Sequence, residues 1–225
     1  ELVWLNYAVP VSPSTDSEVA TALVDLRRAF SRRRRKLRFE FIAELWPDLG
    51  LCLDEAGLEL QARQPLMLCT PSDFRPVTAT GVRVQPLTGA DDDATFARFL
   101  TVGRVGFALA GASTREPTAQ EIARRREHVA AGHEHCALGW LDGSAAGVAS
   151  THALGDVAEL AGVATLPALR RRGVAVTVSS CLVRDHFDRG GTLVWLSAGD
   201  DTAEAVYRRI GFRTVASRLN YIAAT

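Results

Sequence analysis

The C-terminal two thirds of the chain alternate between strand-like and helix-like patterns of apolar residues. Strand-like stretches predict strands at 81–87, 136–141, 145–152, 157–165 and 192–197. Helical periodicity predicts helices between them at 94–110, 118–131, 174–189 and 201–210. This alternation of strands and helices predicts an α/β (α+β) fold.

Two features refine the predicted helices. Thr118 with Glu121, and Asp201 with Glu204, have the spacing of capping boxes and predict helix starts. Gly103 lies inside the helix predicted at 94–110, as does Gly106, so we predict that this helix is broken there and forms a mobile segment.

The N-terminal third repeats the same order on a smaller scale. Strands are predicted at 2–8, 37–41 and 58–69, separated by a helix with Val19, Leu23, Leu26 and Phe30 on one face and by a helix starting near residue 47. This β-α-β-α-β order predicts a partial second copy of the C-terminal pattern. The segment from Thr70 to Pro76 has the composition of a linker, so we predict a division into 1–70, a linker at 71–80 and 81–225.

Charge and cysteine content narrow the partners. The 225 residues hold 26 Lys plus Arg and 26 Asp plus Glu, so net charge favours neither nucleic acid nor an anionic membrane as a partner. A small-molecule substrate fits this neutral balance better. Cys52, Cys69, Cys136 and Cys181 lack Cys-x-x-Cys spacing, which predicts reduced thiols rather than a disulfide framework or a zinc ribbon.

Targeting signals are not evident in the sequence. It holds no apolar run of about 18 residues and no signal-peptide pattern at its start, which predicts a cytoplasmic protein. Because the first residue is Glu1 rather than Met, we expect further residues upstream.

Candidate chemistry begins at an Arg-x-x-Gly-x-Ala loop between the strand 157–165 and the next helix. Gly173 lacks the Cβ that would block close backbone approach, and Ala175 keeps the first helical turn slim. Successive backbone amides and the positive end of the helix can then hold a phosphate group. Three cations, Arg170, Arg171 and Arg172, lie beside the loop.

A second motif, Tyr207-Arg-Arg-Ile-Gly211-Phe212, follows the next strand and helix. Ala203, Val206, Tyr207 and Ile210 share one face of that helix, and Gly211 is placed to end it. In this order, the two motifs resemble the GCN5-related N-acetyltransferases (GNAT), whose full domain would run from about Val82 to the C-terminus.

The resemblance implies a GNAT fold, with a mixed central sheet of splayed strands flanked by helices, and acetyl-CoA as cosubstrate. Val163, Ala164 and Thr165 would bind the pantetheine arm. The pyrophosphate would lie against the loop and first helical turn formed by Arg170, Arg171, Arg172, Gly173, Val174, Ala175 and Val176. Asp200 stands where many members carry Asn, and it is a further expected cofactor contact.

The implied reaction is transfer of the acetyl group to a primary amine of a small molecule or peptide by direct attack. Glu159 is the candidate general base; the alternative is an ordinary solvent-facing carboxylate, and a bulge at Gly162 would hide which face it occupies. Tyr207 is the candidate acid for the departing thiolate; the alternative is a core tyrosine. Hydrogen-bond donation is its expected role, because proton transfer from a phenol to a thiolate is uphill by about 2 kcal/mol.

The N-terminal copy is expected to be silent. Aligning Gly57 with Gly211 puts Leu53 where Tyr207 stands, and the link 10–15 contains two prolines and no glycine. Two other classes remain open: a non-catalytic acyl-CoA-binding or regulatory module, and a structural dimerisation domain. A homodimer and the identity of the acceptor also stay open, the acceptor being chosen in part by the segment 100–116.

Two charged stretches favour simpler interpretations. His133-Glu134-His135 places two histidines on one side of a strand entry with no third ligand evident, so we predict no metal. The run 32–36 is basic and is best interpreted as a solvated helix end.

Overall fold

The computed structural model describes residues 6–12, 15–108 and 115–224. Six helices lie within these residues: α1 Asp16–Arg32, α2 Leu49–Glu55, α3 Asp93–Phe107, α4 Ala119–Ala130, α5 Val174–Asp188 and α6 Asp201–Arg208. Eight strands alternate with them: β1 Arg38–Ile42, β2 Leu58–Cys69, β3 Val82–Pro86, β4 His135–Leu141, β5 Ser144–Leu154, β6 Val157–Thr165, β7 Leu193–Ser197 and β8 Arg213–Ala223. The predicted α/β class is confirmed. Most of the strand predicted at 2–8 falls on residues 1–5, outside the described residues.

The chain divides into two compact units. The first comprises the described parts of 1–66 together with 197–200 and 214–225; the second comprises 67–196 and 201–213. The predicted division into a degenerate copy at 1–70, a linker at 71–80 and a domain at 81–225 stays a prediction.

The first unit packs two helices on one face of three strands in the order β1, β8, β2. Its core combines Leu23 of α1 and Leu53 of α2 with alternate residues of β1 and β8, such as Phe39 and Tyr221. Leu53 has no solvent exposure.

The second unit holds the strand order β7, β6, β5, β4, β3, in which β6 and β7 run parallel and the pairs from β3 to β6 are antiparallel. Successive residues of β5 mark its two faces. Gly147 faces Val174 of α5, whereas Val148 packs with Phe96 and Phe99 of α3. Helices therefore cover this sheet on both faces.

The helix α3 corrects the predicted break at Gly103 and Gly106. It runs unbroken through both glycines to Phe107. A Cβ at Gly106 would lie 2.7 Å from the Cβ of Ala164 and 3.3 Å from the backbone of Thr165. This glycine therefore allows α3 to approach β6 closely. The predicted segment 100–116 lies partly outside the described residues, which exclude 109–114.

None of the four cysteines forms a disulfide within the described structure. Burial, with a smaller effect of Asp73, raises the pKa of Cys69 to about 12. Burial likewise raises the pKa of the Cys136 thiol. Both thiols are therefore protonated at neutral pH. No helix in the described parts of the chain is both long enough and apolar enough to span a membrane.

Candidate active site

The sheet of the second unit opens between β6 and β7. Their parallel register runs from Val157 opposite Leu193 to Glu159 opposite Trp195, and both strands continue beyond it. Past Glu159, over the residues described, β6 follows its other neighbour β5 to Thr165 while β7 departs from it. The C-terminal half of β6 thus borders an opening in the sheet, as the predicted splayed strands require.

A bulge interrupts β6 within this half. Val148 pairs with Ala164 and Ser150 pairs with Ala161, so Ala149 alone faces the two residues between them. Gly162 is one of these two, and its φ of +62° is a conformation that glycine adopts without steric cost. The glycine predicted to mark a bulge therefore does so.

The loop after β6 turns sharply into α5. Pro167–Leu169 forms one 3-10 turn, Arg171 has a φ of +65°, and Gly173 begins α5 with a φ of +80°. A Cβ at Gly173 would also overlap the Cβ of Ala79. Both the backbone conformation and this neighbour require glycine at position 173.

Ala79 lies in the segment 77–79, which is hydrogen-bonded to α5. The amide of Val77 donates to the Ser180 hydroxyl and that of Ala79 to the Thr177 hydroxyl, each at 2.9 Å. The Thr177 hydroxyl in turn donates to the carbonyl of Gly173 at 2.8 Å. The segment 77–79 therefore holds the start of α5 in place.

The first turn of α5 keeps its amides available. Gly173 occupies the capping position without a side chain, and the first turn contains no acidic residue. The amide of Thr177 makes the first backbone bond into the helix, to the Gly173 carbonyl. The amides of Val174, Ala175 and Val176 precede it, and such groups, with the helix dipole, attract an anion.

The three predicted cations have different surroundings. The guanidinium of Arg170 donates to the carbonyl of Gly106 at 2.9 Å and to that of Thr165 at 3.4 Å, so it ties the loop to α3 and β6. Arg172 pairs with Asp142 at 2.8 Å, and both side chains are exposed. Arg171 is exposed. Of the three, Arg171 and Arg172 are better placed to meet a ligand from solvent.

The predicted pantetheine residues form the end of β6. Val163 and Thr165 are half-buried, and Ala164 is buried in the cluster of α3. The Thr165 hydroxyl is buried and, among the described atoms, has no hydrogen-bond partner. A buried hydroxyl without a partner is costly in a fold and fits a position that a ligand completes.

The pairing of β6 with β5 shows which face of the sheet carries Glu159. It pairs with His152 of β5, two residues beyond Ser150 and four beyond Val148. Alternate residues of a strand share a face, so Glu159 lies on the face that carries Val148 and the helix α3. Its side chain is half-buried.

Tyr207 and Asp200 lie outside the β6 loop. Tyr207 is buried in α6 with its ring edge-on to Phe212 at 5.9 Å, and its carbonyl accepts the amides of Ile210 and Phe212. A Cβ at Gly211 would overlap the carbonyl oxygen of Asp73. Packing alone therefore explains the glycine and the phenylalanine of this motif. Asp200 is exposed and directly precedes α6.

The residues 133–135 are split between environments. His133 is exposed. Glu134 is buried and paired with Arg125 of α4. His135 alternates with Glu134 and therefore projects to the opposite face of the sheet, where burial and then Arg189 lower its pKa. Within the described residues, no three His, Cys, Asp or Glu side chains converge as a metal site would need.

Sequence analysis did not single out His152 or Arg125. The hairpin of β4 and β5 was predicted, and its turn at Asp142 and Gly143 fixes the register. A bulge between Gly139 and Trp140 shifts that register, so extending it from the turn would have placed Glu134 opposite Thr151 instead of His152.

A cleft of about 670 Å³ lies on the α3 face near the β4–β5 turn. Arg98 and Trp140 are among its lining residues, as is Ala145. Ala145 and His152 are seven residues apart on β5, which corresponds to about 23 Å. The cleft is therefore not beside Glu159.

Comparisons with known proteins agree with this geometry. Residues 107–212 match the model of the acetyltransferase (GNAT) family. The chain is similar to a GCN5-related N-acetyltransferase from Kribbella flavida, at 28% identity over 99% of this chain and 82% of that one, with a TM-score of 0.77. A comparison with curated proteins finds no match.

Two more distant structures share the fold. One is a GCN5-related N-acetyltransferase from Sphaerobacter thermophilus, at 17% identity over 91% of this chain and 67% of that one, with a TM-score of 0.65. The other is a tandem GNAT protein from the clavulanic acid biosynthesis pathway, at 15% identity over 91% and 69%, with a TM-score of 0.64. Together with the sheet opening and the loop at Gly173, these matches assign residues 107–212 to the GNAT acetyltransferase family and show that the chain shares the GNAT fold.

Proposed function

We propose that this protein is an acetyl-CoA-dependent N-acetyltransferase, in which a primary amine of a small molecule or peptide attacks the thioester directly. The observation that carries the proposal is the uncapped start of α5 beside the half of β6 that has parted from β7. An anion seat next to an open strand edge suits a long ligand with a pyrophosphate at one end and amide groups along its length.

The cosubstrate would be held in two parts. The amides of Arg171, Arg172, Gly173, Val174, Ala175 and Val176 would surround the pyrophosphate, while the side chains of Arg171 and Arg172 add charge. Val163, Ala164 and Thr165 would meet the pantetheine arm at the open edge of β6. The role expected of Arg170 changes from binding phosphate to positioning the loop, because its guanidinium is bonded to Gly106 and Thr165.

Glu159 would act as the general base. A lysine-like amine with a pKa near 10.4 is protonated at pH 7, and removing the proton costs about 4.6 kcal/mol. Glu159 is the last residue of β6 that pairs with β7, and in the proposed mechanism its carboxylate would accept that proton. We expect Glu159→Gln to lower kcat by about a hundredfold.

Tyr207 would stabilise the departing CoA thiolate by hydrogen-bond donation. Because the ring is packed on Phe212, Tyr207→Phe keeps that packing and removes only the hydroxyl. Loss of turnover in this variant, with unchanged stability, supports the role. Full turnover would leave Tyr207 as a core residue.

The first unit would be a degenerate copy that does not bind acetyl-CoA. Leu53 fills its core without any exposure, and the start of α1 is closed by its own Thr15 side chain. Asp200, if it contacts the cofactor, would do so as an acceptor in place of the usual amide. We place the protein in the cytoplasm as part of this proposal.

The test is calorimetric titration of acetyl-CoA against the intact chain and against Ala175→Glu. A carboxylate in the first turn of α5 favours the helix dipole, so the fold is retained, but it repels a pyrophosphate. We expect at least about a hundredfold weaker binding, which is about 2.7 kcal/mol.

The matched control is Ala119→Glu, which adds the same charge to the exposed first turn of α4. It should bind acetyl-CoA like the intact chain. No binding by the intact chain, or equal binding by Ala175→Glu, would refute the cofactor site. Binding without thiol release across a panel of amines would instead favour a non-catalytic acyl-CoA-binding module.

A further inference from the structure

A row of polar side chains crosses the sheet of the second unit at the vertex where β6 and β7 part. His152 on β5 is paired with Glu159 on β6, and Glu159 is paired with Trp195 on β7. On the other side, His135 is paired with Thr151, so the next pair of that antiparallel ladder is Glu134 with His152. The imidazole therefore lies between two carboxylates.

All members of this row share one face. Directly paired residues of neighbouring strands project to the same side, and Glu159 lies on the side of α3. His135, one residue from Glu134, projects to the other side, near Asp185 of α5 and Arg189 at the end of that helix. Cβ atoms of such cross-strand pairs are about 5 Å apart, within reach of a carboxylate and an imidazole.

The two ends of the row differ in solvent access. The Glu134 side chain is only 3% exposed, is ion-paired with Arg125 of α4, and lies 3.7 Å from His152 Nε2. His152 is 48% exposed. A buried, anchored carboxylate thus faces one nitrogen of an imidazole that also reaches solvent. Of the charged groups around this imidazole, Glu134 lies 3.7 Å from it, Arg125 pairs with Glu134, and Glu159 is its cross-strand neighbour on the same face.

This arrangement suits the transfer of a proton. Acetylation of an ammonium substrate converts R-NH₃⁺ and the thioester into an amide and a thiol, and it releases one proton. A base that accepts this proton must pass it on before the next turnover. An imidazole exchanges protons readily near neutral pH, and the buried Glu134 carboxylate lies beside one of its nitrogens.

We propose that His152 is a positioning residue that takes the substrate proton from Glu159 and releases it to water, while Glu134 orients the imidazole. The inference rests on the proposed acetyltransferase function. In this relay the amine N–H bond breaks and a Glu159 O–H bond forms; that proton then moves to His152 and on to solvent. Both carboxylates return to their starting state.

Arg125 distinguishes this inference from a purely structural ion pair. The guanidinium already pairs with the buried Glu134 carboxylate, so that charge is compensated without His152. Removal of the imidazole should therefore affect turnover more than stability.

The activity test compares His152→Ala with the intact chain at saturating acetyl-CoA and the best amine of a panel. We expect kcat to fall by about tenfold or more while KM for acetyl-CoA stays within about twofold. Added imidazole should restore much of the lost rate in His152→Ala and leave the intact chain unchanged. His133→Gln, at the exposed histidine that precedes β4, is the control and should behave like the intact chain.

A second measurement does not depend on turnover. The ¹⁵N chemical shifts of the His152 ring nitrogens should change in Glu134→Gln and also in Glu159→Gln, because each carboxylate faces the ring. Unchanged shifts in Glu159→Gln would overturn the relay even in an active enzyme, as would a kcat unaffected by His152→Ala. If the intact chain transfers no acetyl group, the acetyltransferase proposal fails and the relay fails with it. The ring shifts would then still decide whether the row exists.

Discussion

The helices α4 and α5 lie in the same unit and begin in opposite ways. At the start of α4, the Thr118 hydroxyl accepts the amide of Glu121 and the Glu121 carboxylate accepts the amide of Thr118. At the start of α5, Gly173 has no side chain to offer. The difference teaches that the two helix starts are stabilised differently: the amides of α4 are bonded by a side chain of the chain itself, whereas those of α5 have no side-chain cap, as the proposed pyrophosphate site requires.

The charged residues near the starts of α4 and α5 differ in the same way. Glu121 at the start of α4 binds Arg104 and Arg115 as well as the cap, so that end already holds its anion. The start of α5 instead follows Arg171 and Arg172 and has no acidic residue in its first turn. The sequence 118–121 therefore supplies its own anion to a helix start, whereas the sequence 170–175 leaves a helix start without one, as the proposed cofactor site requires.

The largest expected effect concerns the glycine that starts α5. Gly173→Ala should lower the free energy of unfolding by about 2 to 4 kcal/mol, because a left-handed conformation and overlap with Ala79 add together. Urea denaturation of this variant and of Gly155→Ala measures the difference. Gly155 has a φ of +64°, but a Cβ at this position would have no neighbour within 4 Å. Gly155→Ala should therefore lower the free energy of unfolding by only about 1 kcal/mol. Equal losses would show that Ala79 does not constrain the loop.

The next effect concerns the cations of the loop. Arg171→Gln should weaken acetyl-CoA binding by about three- to tenfold and reduce its salt dependence, because an exposed cation acts through a screened interaction. Titrations at low and high salt measure both quantities. Arg124→Gln, an exposed cation of α4, should change neither. A similar loss in both variants would indicate a general charge effect.

Removal of a cap should affect stability without affecting binding. Thr118→Ala deprives α4 of its cap and should lower the free energy of unfolding by about 1 kcal/mol. Its affinity for acetyl-CoA should equal that of the intact chain. Weaker binding in this variant would contradict the division between the two helix starts.

The smallest effect concerns pH. The pKa of Glu121 lies below its ordinary value of 4.5, first because Arg115 and then because the Thr118 amide donate to the carboxylate. The stabilisation is therefore complete above pH 4.5 and is lost as the pH falls through the lowered value. The protection of amides in the first turn of α4, measured as exchange relative to the intrinsic rate at each pH, should fall in acid in the intact chain and should not do so in Glu121→Gln. Exchange in the first turn of α5 should show no such dependence.

Sequence patterns predicted the local features well. The capping box at Thr118 and the strand 157–165 were found at the predicted residues. Both depend on neighbours within a few positions. The start of α6 differs slightly from the predicted capping box. Asp201 is the first residue of the helix instead of the cap before it, and Glu204 pairs with Arg208.

Features that depend on distant residues could not be predicted. The face of Glu159 was hidden because the bulge at Gly162 interrupts alternation, and only the pairing with β5 resolves it. Gly106 was interpreted as a helix break because glycine weakens helices. Its packing against Ala164 could not be predicted, since the two residues are far apart in the sequence. The Arg170 bond to Gly106 spans a similar distance, and no local pattern encodes it.

The segment 71–80 bears on how the second unit could be isolated. Phe74 packs edge-on to Phe187 at 5.6 Å, and the Arg75 amide donates to the Ile210 carbonyl. The bonds of Val77 and Ala79 to α5 extend this contact. A truncated protein that starts at residue 81 would lose these contacts and expose the hydroxyls of Thr177 and Ser180. A fragment designed to express the second unit should therefore retain the residues from 67 onward. A protease should cleave the segment 71–80 slowly in spite of its linker-like composition.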